Sequence, residues 1–106
     1  MTVYVDDMRA PFRRLIMCHM LADTDEELRE MASKIGINQR HHQDDHFDIC
    51  LTKRALAVQF GAVEITQLQA GCMTIRRRAT GSLGLPNAAE QWLKDRISKN
   101  KKEGEK

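Results

Sequence analysis

Residues 40–48 read RHHQDDHFD, so three of the chain's four histidines and three aspartates fall between His41 and Asp48. Imidazoles and carboxylates together support two kinds of chemistry. Three or four of them converging at about 2 Å from an ion make a metal site. One histidine oriented by one carboxylate makes an acid/base pair that works near neutral pH. His46 and Asp48 are two residues apart and share a side if the segment is extended. The fourth histidine, His19, lies inside the apolar run LIMCHML. No HExxH, HxH or CxxC spacing fixes a ligand set, so the spacing leaves the metal unknown, with a divalent ion as one cofactor these residues could take.

A second chemistry is anion recognition. Arg9, Arg13 and Arg14 flank Pro11, Arg76, Arg77 and Arg78 form the densest basic run, and Lys53 and Arg54 stand where a helix is expected to begin. Brought together, these groups would hold a phosphate or a nucleic-acid backbone. On a strand, however, Arg77 would point away from Arg76 and Arg78. Only five residues are aromatic, which disfavours a surface that stacks single-stranded bases. GSLGLPN has neither the lysine of a phosphate loop nor a GxGxxG pattern, and its glycines read as a hinge. Cys18 and Cys50 lie in apolar runs, where packing is the commoner role for a thiol.

The elements that must position these groups follow from periodicity. Residues 2–5 read as a short strand ending at Asp6 and Asp7, and residues 8–14 as a loop around Pro11. Residues 15–21 have the length and apolarity of a central strand. Asp23 as N-cap, Glu26 three residues later and Gly36 at the far end frame a first helix, with Leu28, Met31, Ala32 and Ile35 on one face. Residues 37–42 are expected to be extended. Thr52 caps a second helix over residues 53–60, residues 63–65 and 73–77 are strand candidates, and Asn87 caps a third helix over residues 87–98. The alternation argues for an α/β fold: one small domain with a mixed sheet, two core helices and a C-terminal helical appendage. The expected organisation is a domain over residues 1–80, a hinge at 81–86, the helix, and a charged, disordered tail at 99–106.

At 106 residues the chain suits one core that needs no metal or disulfide to fold. Its net charge of +2 belongs to the tail, because from Lys94 onward six basic residues face three acids, and the body is left at −1. Nucleic-acid binding therefore gains nothing from net charge alone. Three widely spaced cysteines form no disulfide framework, and neither a signal peptide nor an apolar run of membrane-spanning length is present, so a cytoplasmic location without membrane contact is expected.

The opening VYVDD, the segment CHMLADTDEELREMASKIGI, the HFDI segment and KRALAVQFGAVEIT together resemble a small family of uncharacterised bacterial and phage domains. The resemblance runs from Val3 to about Arg78. It implies an independently folding cytoplasmic or phage-encoded protein and no particular reaction. It also draws attention to Asp6, His19, Asp23, His46 and Asp48, which match its patterns, and leaves His41, His42 and Asp44 as a solvated approach. The function expected is binding of a small anionic or phosphate-containing ligand at a His/Asp site, with hydrolysis as one reaction such a site could carry and enzymatic activity left open. Asp6, His19, His46 and Asp48 are its candidate catalytic residues, and Arg14, Arg54 and Asp23 its ligand contacts. The alternative is an accessory factor without catalysis that binds nucleic acid or a host protein through Arg76, Arg77, Arg78 and the tail. A homo-oligomer is compatible with either.

Overall fold

The computed structural model describes residues 2–104. Its spine is the expected apolar strand, here β3 (Leu15–Ala22), which pairs antiparallel with β1 (Val3–Val5), Val5 opposite Met20. β4 (Phe47–Cys50) also runs antiparallel to β3, from Met17 opposite Cys50 to Met20 opposite Phe47. Residues 8–14, expected as a loop, instead contain β2 (Ala10–Phe12), which pairs with the start of β3. Phe12 and Leu15 flank a two-residue turn, so Pro11 opposite Ile16 is a non-hydrogen-bonded pair and its missing N–H faces outward. β4 overlaps the β3 residues used by both β1 and β2. Those two strands must therefore lie end to end on the opposite edge. β5 (Val63–Glu64) adds to β1 in parallel and completes a mixed five-stranded sheet.

Strand alternation sends two sets of apolar side chains to opposite faces. Val3, Val5, Cys18, Met20, Phe47 and Ile49 pack on one face with Leu28, Met31, Ala32 and Ile35 of α1 (Asp25–Lys34) and with Ala57 of α2 (Leu51–Gln59). Tyr4 and Leu21 pack on the other with Ala70, Cys72 and Met73 of α3 (Gln67–Thr80) and with Ala89 of α4 (Pro86–Gly104). The result is a small α/β sandwich. Its second helical layer reaches the sheet through Tyr4 and Leu21, and the row of side chains beginning at His19 emerges beside it half-buried.

Several boundaries differ from the sequence expectation, each for a local reason. Residues 73–77 are helical, not a strand. Thr66 and Gln69 form a capping box, and Ala70 and Met73 recur at helical spacing, which outweighs the local β-branched composition. The cap of α1 is Thr24 rather than Asp23, because Asp23 prolongs the β1–β3 ladder: its amide donates to the Thr2 carbonyl and its carboxylate accepts from the Thr2 amide. Residues 37–42 hold a 3₁₀ turn, Gln39–His41, where an extended segment is expected. α2 starts at Leu51, so Thr52 lies inside it. Gly81, at φ 88°, ends α3 in the left-handed conformation that favours glycine. α4 begins at Pro86 and continues past Ser98 to Gly104, and the end of the tail at 105–106 lies outside the described residues.

Candidate functional site

Where β1 ends and β2 has not begun, the His19 amide of β3 finds a side chain instead of a main-chain acceptor on that edge. Asp6 fills the gap. Its amide donates to the His19 carbonyl at 3.1 Å, and its Oδ1 accepts from the His19 amide at 2.8 Å and the Met8 amide at 3.3 Å. Its Oδ2 lies 2.7 Å from His19 Nδ1. The carboxylate is fully buried. Burial pushes its pKa up, but the hydrogen bonds from the His19 ring and amide outweigh this and hold it below the usual carboxylate value. The same bond raises the pKa of His19 against the effect of burial. An ionised Asp6 can only accept, so Nδ1 carries the proton and the lone pair of neutral His19 sits on Nε2.

The second half of the site comes from a tight turn inside the histidine-rich segment. Gln43 and His46 exchange both main-chain hydrogen bonds at 2.9 Å, and Asp44 between them sits at φ 49°. Aspartate tolerates that conformation better than most residues. The turn folds Asp45 back so that its Oδ1 lies 3.0 Å from His46 Nδ1, and it brings Gln43 within 3.0 Å of Asp48 Oδ2. Asp45 also stands 3.4 Å from Arg78 on α3. Burial raises the Asp45 pKa, but the His46 hydrogen bond and the Arg78 charge together leave it lowered.

Sheet register joins the two halves. Asp48 is directly opposite His19, on the face shared with Leu21. His19 Nε2 lies 3.9 Å and His46 Nε2 3.4 Å from Asp48 Oδ1, and the two rings meet edge to face at 5.2 Å. Neither approach has hydrogen-bond geometry, so Asp48 Oδ1 is buried without a partner. Asp48, His19 and His46 each offer one ligand atom, all within 4.8 Å of one another, and among the described residues no other such group of His, Cys, Asp or Glu occurs. His19 and His46 line a cleft of about 390 Å³, walled by Gln67, Thr74, Ile75 and Arg78 of α3.

The model of a protein family described as a protein of unknown function, DUF4031, matches residues 3–79. The chain belongs to this family. The match in this DUF4031 chain includes every group described above, from Asp6 to Arg78, while α4 lies beyond it. Searches of the curated proteins and of the solved structures find no match.

Of the residues singled out in the sequence, Asp6, His19, His46 and Asp48 converge. Of these four, His19 and His46 line the cleft, and Asp48 borders the neighbouring cavity with Met8, Phe12 and Gln43; Arg14, Arg54 and Asp23 line neither. Arg14 stands in the β2–β3 turn. Asp23 closes the sheet at the far end of β3. Arg54 donates from Nε to the Asp6 carbonyl at 2.9 Å and from Nη1 to Glu64 at 2.8 Å, and so supports Asp6 through its main chain. Arg76, Arg77 and Arg78 fan out around a helix, bonded to the Ser82 carbonyl, the Ala22 carbonyl and Asp45 respectively. His42 is more than a solvated approach: its Nε2 lies 2.8 Å from Asp25 and its ring packs on Phe47. Two residues that sequence reasoning passed over, Asp45 and Gln43, hold His46 and Asp48. The only available signal for them was the DD pair ahead of His46, which suits a tight turn.

Proposed function

We propose that the cleft binds a small anionic, phosphate-containing ligand and that hydrolysis is the chemistry for which its floor is equipped. One observation carries this reading. Two imidazoles that line a cleft with an arginine on its wall are each tethered at Nδ1 by an aspartate of their own, and both turn Nε2 towards one buried oxygen of the adjoining Asp48. Such tethering fixes tautomer and orientation before a substrate arrives, which is how a protein prepares groups to activate water. Arg78 supplies a fork for phosphate oxygens, and Gln67 and Thr74 beside it offer further donors. In the reaction, water attacks phosphorus, the phosphorus–oxygen bond to the leaving group breaks, and the departing alkoxide takes up a proton. The volume of the cleft suits a small molecule. The accessory-factor alternative has less support, because Arg76, Arg77 and Arg78 do not share a face.

The test is a set of phosphate monoesters and diesters, p-nitrophenyl phosphate among them, assayed with the wild type and with Arg78→Ala. Arg78 is largely exposed, so its loss should leave the fold intact and raise KM about tenfold or more. If no member of the set is hydrolysed and inorganic phosphate does not shift the melting temperature, the reading fails.

A further inference from the structure

We propose that His19, His46 and Asp48 form a three-donor site for a divalent first-row transition ion of the zinc class. The inference deepens the hydrolytic reading by naming what activates the water, but it stands on geometry that can be tested without any phosphate ligand.

Charge is the first argument. Asp6, Asp45 and Asp48 bring three carboxylates to two imidazoles, and Arg78 is the one cationic side chain, among the described residues, that lines the cleft. A centre with that negative excess repels a phosphate unless a cation sits between them. The orphaned Asp48 Oδ1 is the second argument. A buried carboxylate oxygen without a partner is costly, and here Gln43 holds the other oxygen so that Oδ1 stays turned to the two rings. Two hydrogen-bonding histidines could each have donated Nε2–H to it. They do not, because their carboxylates take the proton on the opposite nitrogen and leave Nε2 as a lone pair. Lone pairs facing a carboxylate oxygen make sense around a cation.

Spacing is the third. An ion about 2.1 Å from each donor puts tetrahedral donors about 3.4 Å apart. The His46 distance already equals that, the His19 distance of 3.9 Å is about 0.5 Å longer, and all three donors lie within 4.8 Å of one another, so the side chains must draw together for one ion to touch them all. Both imidazoles have the carboxylate–histidine arrangement that orients metal ligands and strengthens their basicity. Two nitrogens and one oxygen favour zinc-class ions over magnesium or calcium, which take oxygen donors. Three protein ligands would leave a position for water, which the ion would acidify, and two of the three, His19 and His46, line the cleft that Arg78 walls.

The experiment uses the full chain stripped with a chelator and titrated by calorimetry with Zn²⁺ alone, and with Co²⁺ read by its visible absorption. One ion should bind per chain. His46→Ala and Asp48→Ala should weaken it at least about 100-fold, and Asp45→Asn, which removes an orienting carboxylate, about 10- to 100-fold. Asp6→Asn should act like Asp45→Asn, which serves where the buried Asp6 substitution impairs folding. His41→Ala, outside the site, should bind as the wild type does. Absence of binding, equal binding by His46→Ala and Asp48→Ala, or a Mg²⁺ affinity equal to that for Zn²⁺ overturns the proposal. Phosphate hydrolysis that persists after stripping overturns the metal and leaves the hydrolytic reading standing. A site that binds Zn²⁺ in a protein inert to phosphate esters does the reverse.

Discussion

Replacing Asp6 with alanine removes a carboxylate that is fully buried and accepts from the His19 amide, the Met8 amide and the His19 ring. Two of these contacts are short charge-assisted bonds, each worth about 1.5–3 kcal/mol, and their loss leaves the His19 amide without its acceptor and the half-buried ring with water alone at Nδ1. The expected loss is about 3–5 kcal/mol, the range found when one partner of a buried pair is removed. Against a total stability of about 5–15 kcal/mol for a domain of this kind, that is a large fraction. In urea, with a slope of about 1–3 kcal/mol per molar, the midpoint should fall by about 2 M. The loss should also vary with pH. His19 has a raised pKa, so its contribution is complete below its ordinary value of 6.5 and declines as pH rises through the raised one. Asp6 has a lowered pKa, so its contribution is complete above 3.8 and declines as pH falls through the lowered one. The gap between wild type and variant should therefore be widest between about pH 4 and pH 6.5. A difference below about 1 kcal/mol, or one that stays flat across the neutral range, would refute the pairing of a charged Asp6 with His19.

Two further outcomes follow from local geometry. Asp44 sits at φ 49°, so Asp44→Val should cost about 1–2 kcal/mol in thermal unfolding while Asp44→Gly should be neutral or stabilising; equal effects would mean that the turn is not built as described. Burial pushes the Cys18 thiol up from 9.0 to about 11, so it should resist thiol reagents at neutral pH in the folded protein. Because the unfolded chain releases that proton first, stability should fall from about pH 9 to pH 11, a slope that Cys18→Ala should reduce, while the raised Cys72 and Tyr4 keep the remainder.

The α/β class, the central strand and α1 were legible in the sequence because each rests on local pattern, whereas Asp6, His19, His46 and Asp48 were singled out as a group by the family resemblance. An apolar run marks β3, helical spacing of Leu28, Met31 and Ile35 marks α1, and His46 with Asp48 keep their side of a strand wherever that strand is placed. What was illegible depends on register or on competition between neighbours. Asp23 and Thr24 are both good caps, and only the pairing of Asp23 with Thr2 decides between them. Arg78 reaches the cleft because residues 67–80 are helical, whereas a strand would have sent it elsewhere. That Asp45 serves His46 follows from a tight turn whose partners appear only once Gln43 and His46 bond to each other.

The gap that Asp6 closes in the sheet bears on how relatives should be compared. One carboxylate both completes the β3 ladder and aligns the His19 ring, so folding alone would punish its loss even in a lineage that had abandoned the chemistry. An aspartate at this position in another sequence is thus weak testimony to a shared reaction. Asp45, Asp48 and Arg78 complete no strand in this way, and their joint retention or joint disappearance is what would track the proposed activity through evolution.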